Sequence, residues 1–132
     1  MLQLLAYGVT FAVLLVCDFV WLGFVAKDIY REGIGHLMSP SVNIPAAAAF
    51  YLLYPLGLLI FAVWPQLSAG DWQKAALYGG LFGLFCYGTY DLSNLATLKD
   101  YPAKIAVIDM VWGGAVSALA AGLAAMAARA AA

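Results

Sequence analysis

Long runs of apolar residues, almost free of charge, divide this chain into four segments. Only 10% of the 132 residues are charged, compared with about 25% in a soluble domain, and most of them stand in short connections between the runs. A helix of about 20 apolar residues is long enough to cross a bilayer. The sequence therefore predicts an all-α membrane protein, a four-transmembrane-helix bundle forming a single domain over residues 1–132, with spans at about 2–25, 44–63, 72–98 and 105–127.

The connection between the first two predicted spans has a pattern of its own. Between residues 26 and 43 it carries most of the charge of the first half of the chain, and Ile29, Tyr30 and Ile34 recur at near-helical spacing. An amphipathic segment of this kind is typical of a helix that lies in the membrane interface. We therefore expect a short interfacial segment between helices 1 and 2.

Small residues mark the third and fourth spans as packing helices. Gly79 and Gly83 form a G-x-x-x-G pattern, and Gly114 and Gly122 lie on a small-residue stripe of the last span. Small residues at such spacing let helix backbones approach closely inside a membrane. These faces predict tight helix pairing, and they are also the candidate faces for a homodimer.

Three carboxylates interrupt the apolar runs. An Asp at the centre of a span costs about 2.5–3.5 kcal/mol on insertion scales, so each needs a partner or a function. Asp18 and Asp91 each lie about seven residues from the nearest charged connection, or ~10 Å along a helix. Asp109 lies at a similar depth in the fourth span. The three residues are therefore predicted to converge in the same half of the bilayer.

A repeated motif indicates how two of these carboxylates are satisfied. Asp18-Phe-Val-Trp21 ends the first span, and Asp109-Met-Val-Trp112 begins the last one. Because these two helices run in opposite directions, each carboxylate comes level with the indole of the other helix. An indole N–H can only donate a hydrogen bond, so the pattern predicts two cross-helix pairs, Asp18 with Trp112 and Asp109 with Trp21.

The favoured interpretation of this convergence is an intramembrane acidic and aromatic pocket that binds or handles a small amphipathic or lipid-derived ligand. Aromatic rings would form its walls, and the acids with Asn94 would hold a polar head group. Lys104, near the interface, would meet a phosphate or carboxylate of a membrane lipid. The predicted site comprises Asp18, Trp21, Tyr87, Tyr90, Asp91, Asn94, Lys104, Asp109 and Trp112.

Other functions fit the same residues. The carboxylates could act only as structural links between helices. A dimeric proton-coupled transporter of small cationic molecules would use them as proton carriers, and an accessory subunit would use the glycine faces to join a larger membrane complex. A catalytic version would use one carboxylate as a general acid or base. No nucleophile paired with a base is recognisable, so enzymatic activity stays open.

Several classes of function are excluded by what the chain contains. The single histidine, His36, and the two cysteines, Cys17 and Cys86, share no metal-ligand spacing, so neither a metal nor a cofactor is predicted. The formal net charge of −1 provides no basic surface for nucleic acid.

The distribution of basic residues predicts an orientation. The first and third connections, 26–43 and 99–104, share one side of the membrane and carry Lys27, Arg31, Lys99 and Lys104. The opposite side carries only Lys74 and Arg129. Because basic residues are enriched on the cytoplasmic side, we expect both connections in the cytoplasm and both termini outside.

The chain also resembles a known family. The run from Tyr90 to Leu98, Tyr-Asp-Leu-Ser-Asn-Leu-Ala-Thr-Leu, followed by Asp109-Met-Val-Trp-Gly113, is similar to the bacterial membrane-protein family called domain of unknown function 2177. The early Asp-Phe-Val-Trp-Leu-Gly segment from Asp18 to Gly23 matches too. The resemblance covers nearly the whole chain. It implies four spans and a location in the bacterial inner membrane, and it implies no particular activity.

Overall fold

The chain is entirely helical, as expected from its composition. The computed structural model describes residues 1–132 and contains no strand. The helices are α1 (Leu2–Val20), α2 (Lys27–Ile34), α3 (Ile44–Leu58), α4 (Trp72–Thr97) and α5 (Ala103–Ala131). Three of them continue into differently wound turns: α1 into a π-helical turn at Trp21–Val25, α2 into a 3-10 turn at Gly35–Leu37, and α3 into a π-helical turn at Leu59–Val63 and a 3-10 turn at Trp64–Gln66.

Three of the helical segments are long and apolar enough to cross a membrane, which identifies the chain as a membrane protein. They are Leu2–Val25, Ile44–Gln66 and Ala103–Ala131. Helix α4 has 26 residues but is less apolar, because polar residues such as Asp91 and Asn94 occupy its last turns.

Local sequence explains where these helices begin. The Asn43 side chain accepts a hydrogen bond from the Ala46 N–H (3.2 Å), and Asp71 accepts one from Lys74 N–H (3.0 Å). Each of these side chains satisfies a backbone donor that has no partner inside its helix. Pro55 lies inside α3, and the helix changes to π-helical winding four residues later.

Helices α4 and α5 form the closest pair and run antiparallel. A Cβ atom added at Gly79 would lie 2.5 Å from the Ala121 Cβ and 2.8 Å from the Ser117 carbonyl oxygen. One added at Gly83 would overlap the backbone oxygen of Gly113. The glycines are therefore required for the close approach of the two helices, as their spacing predicts.

Two separate groups of buried side chains hold the bundle together. The larger is almost purely aliphatic and lies towards the chain termini, between α1, the end of α3, and α4 and α5. The smaller lies around α2 and the α4–α5 connection, and it contains two phenols: Ala26, Tyr30, Tyr101, Ile105 and Ala106. The polar residues described below lie between these two groups.

Candidate functional site

Asp18 links three helices through its two carboxylate oxygens. Oδ1 accepts a hydrogen bond from the Trp112 indole N–H of α5 at 2.9 Å, and Oδ2 accepts one from the Tyr51 hydroxyl of α3 at 2.7 Å. The residue is only 5% exposed. The pairing of Asp18 with Trp112 that follows from the repeated motif is thus present, with a donor from α3 in addition.

Asp109 is satisfied differently from the way its motif predicts. The Tyr30 hydroxyl of α2 donates to Asp109 Oδ1 at 2.8 Å, and the Trp21 indole N–H donates to the Tyr30 oxygen at 3.2 Å. The direct contact expected between Trp21 and Asp109 is therefore replaced by a relay through one phenol. Tyr30 lies on α2, in the connection between the first two predicted spans. The positions of the spans do not determine how this connection folds.

The two indoles of the repeated motif stack on each other. The rings of Trp21 and Trp112 lie with their centroids 4.4 Å apart and their planes at 3°. The stack joins the π-helical turn that follows α1 to α5. It makes the two Asp/Trp motifs a single structural unit.

Asp91 is the most deeply buried of the three acids. Its Oδ1 accepts a hydrogen bond from the Tyr101 hydroxyl at 2.7 Å, while its buried Oδ2 has no hydrogen-bond partner. Tyr101 lies in the connection before α5, and burial together with the neighbouring Asp91 raises the pKa of its phenol. The Asp109 carboxyl lies next to that of Asp91.

An open pocket of 390 Å³ adjoins this network between α3, α4 and α5. Four aromatic side chains form most of its wall, and Asp109 is its single acid; the lining residues are Phe50, Tyr54, Cys86, Tyr87, Tyr90 and Asp109. Phe50 and Tyr90 are 40% and 56% exposed. The pocket therefore opens sideways, between α3 and α4.

The aromatic wall is continuous. The ring of Tyr54 stacks on Phe50 at 5.4 Å and meets Tyr87 edge to face at 5.9 Å. The Tyr54 hydroxyl is bonded to the Ser117 hydroxyl at 2.7 Å, which fixes the position of that ring against α5. The Tyr87 ring also lies directly over Gly113, where any Cβ atom would overlap it.

The structure divides the nine predicted site residues into three sets. Tyr87, Tyr90 and Asp109 line the pocket. The hydrogen-bonded network beside it contains Asp18, Trp21, Asp91 and Trp112. The remaining two, the half-buried Asn94 and the exposed Lys104, make no side-chain hydrogen bond or ion pair with the acids.

Sequence reasoning missed several residues of this region. Three of them, Phe50, Tyr51 and Tyr54, lie on α3, which contains no Asp, Glu, Lys, Arg or His. Tyr30 and Tyr101 stand in connections between the predicted spans, and Cys86 lines the pocket from α4. A signal did exist: a phenol is the commonest neutral donor in this chain, and each buried carboxylate needs a donor. The spacing of those phenols, however, does not indicate which acid they reach.

No cationic side chain compensates the three carboxylates. The only ion pair in the structure joins Lys74 to Asp71 at the start of α4, at 3.9 Å. No group of His, Cys, Asp and Glu side chains is arranged to hold a metal ion. The side chains that donate hydrogen bonds to these three carboxylates are all uncharged phenols and indoles.

The fold and this site define a helical membrane protein with hydrogen-bonded acids inside its bundle. The chain belongs to the family DUF2177, described as a predicted membrane protein, whose sequence profile matches residues 3–126. The resemblance of its Asp- and Trp-containing motifs to that family is thereby confirmed. Comparison with curated proteins gives no match, and neither does comparison with solved structures.

Proposed function

We propose that this protein binds a small amphipathic or lipid-derived ligand in the pocket between α3, α4 and α5. The observation that supports this is the lining of the 390 Å³ pocket, which includes four aromatic side chains and one carboxylate. Ligand sites are mostly apolar concavities of about 300–1,000 Å³ with a few polar groups that fix orientation. The apolar part of the ligand would contact the rings, and its polar group would meet Asp109.

The hydrogen-bonded acids beside the pocket have a supporting role in this proposal. Asp109 Oδ1 is held by Tyr30, so its position is set before a ligand arrives. Asp18 and the stacked indoles of Trp21 and Trp112 hold α1 against α5. Such support reduces the ordering that binding would otherwise require.

Native mass spectrometry of the protein released from detergent tests the proposal. Wild-type protein should carry a bound molecule of defined mass, and Cys86→Phe should lose it, because Cys86 lines the pocket and the added ring would fill it. Ala115→Phe is the matched control, since Ala115 is exposed on α5 outside the pocket. Wild-type protein without any adduct, or an adduct that survives in Cys86→Phe, would contradict the proposal.

For the membrane topology, we propose four spans, with α4 as the third. At 26 residues it is ~39 Å long, which exceeds the hydrocarbon thickness of about 30 Å, and it packs antiparallel along α5. Helix α2 would lie in the interface, and the positive-inside bias supports an orientation with both termini outside. A bacterial inner-membrane location is part of the proposal because the resemblance to the family implies it.

Single-cysteine labelling in a background without Cys17 and Cys86 tests that topology. An impermeant maleimide added outside should label Ser68→Cys but neither Ser41→Cys nor Lys99→Cys. Labelling of both Ser68→Cys and Lys99→Cys from the same side would mean that α4 does not cross the membrane.

A second candidate function is proton-coupled transport of small cations by a dimer. The presence of three carboxylates on three helices without a cationic partner favours it, because such groups can exchange a proton for a substrate. The lumen of proteoliposomes should then become more alkaline when a membrane-impermeant quaternary ammonium ion is added outside, because the cation enters in exchange for protons. Asp109→Asn should abolish the response.

Only some of the glycines predicted for a homodimer interface, or for contact with a larger complex, lie on the outer surface of the protein. Gly79 and Gly83 face α5 of the same chain, whereas Gly114 and Gly122 line shallow grooves on the outer side of the α4–α5 pair. Disulfide crosslinking of Ala118→Cys, which lines both grooves, would detect a dimer there, with Ala115→Cys as the control.

A further inference from the structure

We infer that the ligand of the aromatic pocket carries an organic ammonium group, and that this group is seated between the aromatic rings and Asp109. The inference rests on the proposed function and specifies its ligand class. It concerns the shared chemistry of ammonium head groups, whether these belong to a free amphipathic amine or to a membrane lipid.

The first argument is the charge of the pocket. Asp109 is its only ionisable acid, and no lysine or arginine lines it. One oxygen of Asp109 accepts from Tyr30, and the residue lines the pocket. A carboxylate in apolar surroundings is stabilised by a counter-charge, and no lysine or arginine of the protein forms an ion pair with Asp109.

The second argument is the shape of the wall. Phe50, Tyr54 and Tyr87 form a connected series of rings within 5.4 and 5.9 Å of one another, and Tyr90 lies one turn beyond Tyr87 on the same side of α4. The face of an aromatic ring attracts a cation within about 6 Å of its centroid. Rings combined with one carboxylate favour alkylammonium over an alcohol or an anion.

The third argument concerns the anions that this pocket cannot accommodate. A phosphate or carboxylate ligand would place negative charge beside Asp109, close to Asp91, with no basic side chain at hand. Like charges at this range repel strongly in a medium of low dielectric constant. An ammonium group avoids this repulsion, and the lateral opening beside the exposed Phe50 and Tyr90 leaves room for an alkyl tail among the lipids.

Calorimetric titration in an uncharged sugar detergent tests the inference, because such a micelle contains no competing ammonium group. The probes are hexyltrimethylammonium, its uncharged hydrocarbon isostere with carbon in place of nitrogen, and hexanesulfonate. We expect the cation to bind about tenfold or more tightly than its neutral isostere, and the sulfonate to bind most weakly. Protein-free micelles provide the blank.

Two variants locate the binding. Asp109→Asn keeps an oxygen that can accept from Tyr30 but removes the charge, so it should abolish the preference for the cation while the neutral probe still binds. Tyr90→Leu should weaken cation binding several-fold. Tyr78→Leu is its matched control, because Tyr78 is 46% exposed and does not line the pocket.

The outcomes separate this inference from the proposed function. Equal affinity for all three probes, lost in Cys86→Phe, would overturn the ammonium ligand and leave the pocket as a binding site. Binding of no probe would overturn both proposals. A cation preference that survives in Asp109→Asn would also overturn the inference, because the cation would then be recognised elsewhere.

A final comparison distinguishes the two sources of the ammonium group. Lysophosphatidylethanolamine, which combines an ammonium with a phosphate, is titrated beside hexylamine. Tighter binding of the lipid, still dependent on Asp109, would support the inference with a membrane lipid as ligand. Tighter binding of the simple amine would support it with a free amphipathic amine.

Discussion

The two halves of this bundle are held together in different ways. In the terminal half, helices meet mainly through small and aliphatic side chains, together with a hydrogen bond from the Tyr7 hydroxyl to the Leu52 carbonyl oxygen at 2.8 Å. In the half next to α2 and the α4–α5 connection, the contacts are directional hydrogen bonds to three carboxylates. The aliphatic set consists of Ala6, Leu14, Leu58, Leu59, Ala62, Val63, Ala75, Val116, Ala120, Ala121, Ala124 and Ala125.

The two kinds of contact are those expected of helices that associate in lipid rather than in water. Inside a membrane, aliphatic side chains gain little by leaving the lipid, so helices associate through close packing and hydrogen bonds. The terminal half relies on packing, which needs small residues. The other half relies on hydrogen bonds, and the aromatic pocket that contains Asp109 lies there. The candidate binding site therefore lies in the half that hydrogen bonds hold together.

The largest effect is expected from the packing of α4 on α5. Gly83→Ala should lower the free energy of unfolding by about 3 kcal/mol, because the new methyl group would overlap the backbone of Gly113, and backbone cannot move aside cheaply. Unfolding by SDS in mixed micelles measures this loss. Gly8→Ala is the control, since nothing lies within 4 Å of its Cβ position. Equal unfolding midpoints for the two variants would show that the helices are not so closely packed.

The next effect concerns the acid that joins three helices. Asp18→Ala should cost about 2 kcal/mol, because the Tyr51 hydroxyl and the Trp112 indole both lose their acceptor. The same SDS titration applies, with Asp28→Ala on the exposed side of α2 as the control. A loss no greater than that of the control would mean that the polar half contributes nothing to stability.

A smaller loss of stability is expected when one of the two stacked indoles is replaced, and circular dichroism provides a second measurement of it. Trp112→Phe should cost about 1 kcal/mol, the value of one hydrogen bond. It should also remove the exciton couplet that two indoles stacked at 4.4 Å produce in the far-ultraviolet circular dichroism spectrum. Trp21→Phe should remove the same couplet, whereas Trp72→Phe should retain it. A couplet that persists in all three variants would contradict the stack.

The smallest effect lies at the boundary between the halves. Tyr54→Phe removes the hydrogen bond to Ser117 and keeps the ring, so the loss should be close to ~0.6 kcal/mol, the average for such bonds inside membranes. Tyr78→Phe, at an exposed position on α4, provides the matched comparison. A loss above ~2 kcal/mol would assign this bond to the polar network and enlarge the polar half.

Much of the architecture was predictable because hydrophobic length and helix direction are properties of local sequence. The helical segment that contains α1 ends at Val25 and the segment that contains α3 ends at Gln66, where the sequence predicts spans ending at about residues 25 and 63. The pairing of Asp18 with Trp112 was also predictable, since antiparallel helices bring the two ends of a repeated motif level.

The rotation of α3 about its axis was not predictable. Its residues are apolar on every side, so no pattern marked which side would face the acids. No sequence pattern therefore predicted that Phe50 and Tyr54 would line the pocket, or that the Tyr51 hydroxyl would donate to Asp18. The same applies to Tyr30, which is placed between Trp21 and Asp109 by the folded path of the connection.

The sequence by itself determined that this chain is a helical membrane protein, where its apolar helices lie and which of them carry carboxylates. These features depend on the free energy of transferring each residue from water to lipid, and the contributions of the residues add along a helix. Only the tertiary structure decided which phenol serves which acid, and that Asp109 alone faces an aromatic pocket. Those contacts depend on the rotation and separation of helices, which are set jointly by many side chains that are distant in sequence.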